Sequence, residues 1–166
     1  MRNPILWAVA AALLVLPVAA AAQASGNVTA TANVLQPLSV AGTRTLDFGS
    51  VLPGVASTVL PTDVNSGMFD ISGEGTSEVD IDFTLPTVLD HTTSSETIGI
   101  SFGANSAAWA TGAGGPFPFD PNTGTTQNLD AGAMIVFIGG TVDPAFDQVA
   151  GTYENTVTMT VAYTGN

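Results

Sequence analysis

Apolar and polar side chains alternate along several short stretches of this chain, most clearly near its end. Across Thr156–Tyr163, Val157, Met159, Val161 and Tyr163 take one side, and Thr156, Thr158, Thr160 and Ala162 take the other. Period-two alternation in Thr- and Val-rich sequence predicts a half-buried strand. Only Thr164, Gly165 and Asn166 follow it. The expectation is therefore a strand whose second neighbour comes from elsewhere, because an open sheet edge is normally blunted or covered. Residues 27–36 repeat the pattern: Val28, Ala30, Ala32 and Val34 lie on one side, with Thr29, Thr31 and Asn33 on the other, and Pro37 stops the run.

Further strands are expected at Leu38–Val40, at Arg44–Phe48 after the turn Ala41-Gly42, and at Ser57–Leu60, Met68–Ile71 and Thr97–Phe102. In Glu78–Leu85, Val79, Ile81, Phe83 and Leu85 point inward, and Glu78, Asp80, Asp82 and Thr84 point outward. Met134–Val142 is apolar almost throughout, which predicts a strand buried on both faces or one crossing to a second sheet. Gly103–Ala131 is rich in Gly, Pro, Asn and Thr and carries Trp109, Phe117 and Phe119. It reads as a long loop or irregular insertion with a short strand at Ala107–Thr111, and long loops are often functional. With no helical spacing in the body of the chain, about nine short strands predict an all-β fold, an immunoglobulin-like antiparallel Greek-key β-sandwich.

The first residues read differently. Arg2 precedes the apolar run Ile5–Val18, and small residues follow it, the pattern of a secretory signal peptide over residues 1–24. The expected organisation is a signal at 1–24, an N-terminal arm at 25–36 and a β-sandwich domain at 37–166, with no membrane insertion once the signal is removed. The expected location is periplasmic, cell-surface or extracellular. Export without a single cysteine means that the core must suffice without disulfides. All 14 acids, but only Arg44 of the two basic residues, follow residue 24. Such a surface repels phosphate backbones and anionic lipid, which argues against a nucleic-acid partner.

Candidate chemistry is sparse. The single histidine, His91, falls in Asp90–Ser95, read as a polar loop, where neighbouring residues do not supply the geometry of a Ser-His-Asp triad. One histidine and no cysteine leave no ordinary zinc site. Asp80 and Asp82 share a strand face but point away from the core, unlike a glycosidase carboxylate pair set in a cleft. Asp120–Gly124 with Asp130 faintly resembles a calcium loop, but the third carboxylate is missing and Pro121 breaks the pattern. The reading is therefore no enzyme and no cofactor, with calcium as a weak alternative. Tyr153, just before the last strand, is read as a corner residue.

Three features now stand in order: the alternating arm running into Pro37-Leu38-Ser39-Val40; Leu46-Asp47-Phe48-Gly49 followed by Pro53-Gly54; and Ala150-Gly151-Thr152-Tyr153 leading into the Thr/Val strand. Together they resemble spore coat protein U and the archaic chaperone–usher pilins, and more closely their cysteine-free relatives, a domain of unknown function in Gram-negative secreted proteins. The resemblance implies an incomplete immunoglobulin-like domain completed by the arm of another copy. It also implies a periplasmic chaperone, an outer-membrane usher and a surface fibre, pilus-like filament or coat. This chain departs from coat protein U and many pilins in having no disulfide. Val28, Ala30, Ala32 and Val34 are the candidate donor residues, and Val157, Met159, Val161 and Tyr163 the candidate acceptors. The alternative expectation is a self-complete surface domain that binds a glycan or protein through residues 103–131, with Trp109, Phe117 and Phe119 as the contacts.

Overall fold

The computed structural model describes residues 23–165. The expected signal segment lies outside the described residues except for Gln23 and Ala24. The chain divides into two units, Met1–Asn33 and Val34–Asn166. In the first, residues 23–33 contain no strand, and Val28 is exposed. The alternation at residues 27–36 therefore does not form a strand within this chain. Alternation sets the two faces of a strand but supplies no partner for its backbone.

The second unit is all-β and antiparallel, with no helix among the described residues. Its strands are β1 (Ser39–Arg44), β2 (Ser57–Val59), β3 (Gly67–Ser72), β4 (Glu78–Thr84), β5 (Val88–His91), β6 (Thr97–Ser101), β7 (Ala107–Thr111), β8 (Gly114–Phe119), β9 (Thr125–Asn128), β10 (Ala133–Ile138), β11 (Gly140–Asp143), β12 (Tyr153–Glu154) and β13 (Thr158–Tyr163). They form a five-stranded sheet β1-β3-β10-β7-β8, a second five-stranded sheet β12-β5-β6-β11-β2, and a three-stranded sheet β13-β4-β9.

The arrangement is sandwich-like. Ile71 of β3 and Met134 and Val136 of β10 meet Val79 and Ile81 of β4, Met159 of β13 and Leu129 in one buried cluster. A second cluster, Ile98, Ile100 and Val142, lies on β6 and β11, and Phe48, Val51, Leu89 and Tyr153 pack against it. Burying a side chain of this size contributes roughly 1.5–3 kcal/mol, so the alternation in β4 and β6 translates directly into core.

The apolar run Met134–Val142 does cross between sheets. β10 pairs with β3 and β7, and β11 pairs with β6 and β2. Gly139 is the crossing point, where an added Cβ would collide with the Val59 carbonyl and the backbone of Leu60 and Pro61.

Several expectations need correction. Ala41-Gly42 is not a turn: β1 runs through it with a bulge between Gly42 and Arg44, and Thr45–Phe48 is not a strand. Gly103–Ala131 is not mainly loop: it holds the hairpin β7–β8 and the strand β9. β8 accommodates Pro116 and Pro118 because it is a sheet edge, where proline is tolerated. His91 is not in a solvated loop: it ends β5, pairs with Tyr153 of β12 and is half-buried.

Candidate functional site

The two sides of the sandwich-like body differ. On one side β8 and β9 are the sheet edges, and the short connection Asp120–Gly124 joins them. The Asp120 carboxylate accepts from the Asn122 backbone N–H at 2.9 Å and from Asn122 Nδ2 at 2.7 Å, and the Asn122 side chain also donates to Phe102 O at 2.8 Å. This carboxylate shapes a tight turn. Among the described residues, no three His, Cys, Asp or Glu side chains are grouped to hold a metal. Phe119 and Phe83 lie 6.3 Å apart and fill the interior on this side.

On the other side the edges are β1 and β13. They converge where β13 ends. There the Tyr163 hydroxyl donates to Gln36 O at 2.9 Å and accepts from Glu74 N–H at 2.6 Å, while Gln36 N–H donates to a Glu74 carboxylate oxygen at 3.0 Å. Towards the opposite pole, beyond the start of β13, lies an open-sided groove of about 990 Å³ that β13 itself does not line. One wall is Gly42–Val51, the other is Gln148–Val157, and Phe69, Ile98, Ile100, Ile138 and Val142 form the floor. Among the described residues no backbone hydrogen bond joins the two walls.

Each wall has its own support. Arg44 Nε donates to Ser66 O at 2.6 Å, and its Nη2 donates to Ser66 Oγ at 2.7 Å. Ser66 is wholly buried, so this guanidinium fixes the end of β1. Asp47 N–H donates to Asn65 O at 2.9 Å. In the other wall, the Tyr153 hydroxyl donates back to Val149 O at 2.7 Å and accepts from Gln148 Nε2 at 2.7 Å, a corner arrangement. The His91 ring stands edge-on to Tyr153 with centroids 4.8 Å apart.

The candidate acceptor residues separate here. Met159 is buried in the main core, and Val161 and Tyr163 pack against it. Val157 precedes β13 and lines the groove. β13 pairs without a register shift to β4 and, among the described residues, to no other strand. Of the candidate donors, Val28 and Val34 are exposed, as are Ala30 and Ala32. Trp109, Phe117 and Phe119 do not form one exposed patch. Trp109 and Phe119 pack against the main core, and Phe117, 4.6 Å from Trp109, stands at the rim with 47% of its surface exposed. Asp80 and Asp82 are exposed on β4, and the Thr126 hydroxyl donates to Asp80.

Sequence reasoning located β13 but not the groove walls. Leu46 and Phe48 alternate with polar neighbours yet form no strand, and Gln148–Asn155 lacks alternation, so no local signal marked these segments as groove walls.

The fold defines an all-β, antiparallel, sandwich-like domain in which, among the described residues, β13 is a regular strand at a sheet edge. No family model and no curated protein matches the chain.

Proposed function

We propose that this protein is an exported structural subunit that assembles with copies of itself by β-strand donation. In this reading the body is an incomplete immunoglobulin-like Greek-key sandwich, and the arm at residues 25–36 of one copy enters the groove of another. The product is a surface fibre, pilus-like filament or coat outside the cytoplasm, and a periplasmic chaperone and an outer-membrane usher are the partners that the resemblance implies.

The observation that carries the reading is the unguarded edge of β13. Proteins blunt open edges with shortness, proline, charge or bulges. β8 has Pro116 and Pro118, β12 has two residues, β2 has three, β9 has four, and β1 is bulged and ends in Arg44. β13 is six residues long, regular, and free of both proline and charge. Beyond its start lies a groove floored by core side chains, lined by Val157 but by no residue of β13 itself. An added strand would satisfy the free backbone groups, each hydrogen bond contributing about 0.5–1.5 kcal/mol. Seating Val28 and Val34 would add roughly 1.5–3 kcal/mol each. The alternative, glycan or protein binding through residues 103–131, has less support because two of its three aromatic residues serve the core.

The test uses protein lacking residues 25–36 and a peptide of that sequence. The full chain is expected to self-associate in light scattering, the truncated chain to stay monomeric, and the peptide to bind the truncated chain. A truncated chain that polymerises like the full one, or that ignores the peptide, overturns the proposal.

A further inference from the structure

The groove has two unlike ends. At one pole the chain's own entry closes it: Gln36 is held by Tyr163 and Glu74, and Gly73 N–H donates to Gly132 O at 2.9 Å. The arm therefore leaves the body at this pole. From there β10 starts opposite Ser72 at Ala133, and the chain continues through Gly139 to Asp143 at the far pole. The loop that follows carries Phe146.

This far pole bears an apolar patch. Phe146 is 92% exposed and Leu52 69%, with Val55 and Val149 also exposed. Single exposed apolar residues are ordinary, but these are held together on two joined loops. Gly54 N–H donates to Pro144 O at 3.1 Å and to Ala145 O at 3.0 Å. Gly54 has a φ of +71°, and a Cβ there would lie 2.9 Å from Phe146 Cδ2, so the glycine lets the ring lie against the loop. Residues 48–62 carry no charge, whereas the loop of Phe146 has exposed aspartates on both sides, Asp143 and Asp147. Pro53, Pro144 and Val149 belong both to the groove lining and to these loops.

We infer that the Leu52–Val55–Phe146 patch is the docking surface for the body of a second copy, the one whose arm fills the groove. The inference rests on the strand-donation reading. The pole at Tyr163 is occupied by the acceptor's own chain, so the donor's chain leaves the groove at the far pole. From Val34 to the first residue of its β1, Ser39, a donor has five residue steps, at most about 18 Å at ~3.3–3.6 Å each. Its arm-bearing pole is thereby drawn against Phe146 and Leu52. The contact joins unlike ends, so copies add head to tail without closing into a two-fold dimer.

Two measurements test this. In the first, Phe146→Asp combined with Leu52→Asp should weaken self-association of the full chain by at least about tenfold, as expected for loss of an interface anchor. The same pair in the chain lacking residues 25–36 should leave binding of the 25–36 peptide unchanged. Unchanged self-association overturns the patch assignment while leaving strand donation intact. Failure of the peptide to bind unsubstituted truncated protein overturns strand donation itself. The second measurement exploits the absence of cysteine. Pro37→Cys and Phe146→Cys chains, mixed and oxidised, should give mainly the mixed disulfide. Mainly Phe146→Cys homodimers would show a two-fold contact and overturn the head-to-tail assignment.

Discussion

Replacing Tyr163 by phenylalanine tests how the arm is rooted. The ring stays packed on the main core, and only the hydroxyl is lost. That hydroxyl makes two hydrogen bonds, to Gln36 O and from Glu74 N–H. At about 0.5–1.5 kcal/mol each they total roughly 1–3 kcal/mol. Gln36 is exposed and its carbonyl can turn to water, whereas Glu74 is half-buried and its N–H is harder to rehydrate. The expected loss is about 2 kcal/mol, which lowers the urea midpoint by roughly 1 M for a slope near ~2 kcal/mol/M. Gly73→Ala supplies the second arm of a cycle. An added Cβ at Gly73 would collide with the Tyr163 hydroxyl, and would lie 2.9 Å from Leu38 Cδ1 and 3.1 Å from Leu129 Cδ1. The two leucine methyl groups can give way, but the hydroxyl is fixed by its bonds. Gly73→Ala should therefore cost less in the Tyr163→Phe background than in the natural one, with a coupling of about 1 kcal/mol. Urea unfolding followed by tryptophan fluorescence measures all four proteins. A Tyr163→Phe midpoint within about 0.2 M of the unsubstituted protein, or strictly additive costs, would refute the reasoning.

Other perturbations probe the remaining supports. Arg44→Ala leaves the buried Ser66 without both of its guanidinium partners and should cost about 2–3 kcal/mol; Arg44→Lys should restore less than half, since an ammonium lacks the planar fork, and urea midpoints decide both. Gly139→Ala forces a methyl group into the backbone of Val59–Pro61 and should cost about 3 kcal/mol, with faster amide exchange in β2 and β11. Self-association should strengthen as salt rises from about 20 to about 500 mM, because the chain after residue 24 has 14 acids and one arginine and screening relieves their repulsion; weakening in salt would show that charge pairing, not strand addition, joins the copies.

In β4, β6 and β13, where apolar side chains alternate, the sequence already determined the strand and its buried face, whereas the same alternation at residues 27–36 formed no strand in this chain. Val79 and Ile81, Ile98 and Ile100, and Met159 all became core. The run Met134–Val142 left two readings open, a strand buried on both faces or a sheet crossing; the crossing formed, and β10 keeps Ile135 exposed on its other face. Such signals are local: they depend only on which side of a strand each residue points to. Pairing is not local, and only the tertiary structure decided it. Val88–His91 became a strand because Tyr153 and Thr97–Gly99 lie beside it, not because its own pattern demands it. The proline-rich β8 is a strand because it landed at an edge, where proline is tolerated. The groove is the extreme case. Its walls, Gly42–Val51 and Gln148–Val157, have no common periodicity, and each is placed by pairing elsewhere, β1 with β3 and β12 with β5. The sequence could mark β13 as a good strand. Which of its edges stays without a neighbour follows from how every other backbone hydrogen bond in the body is spent, and that depends on contacts between residues far apart in the chain.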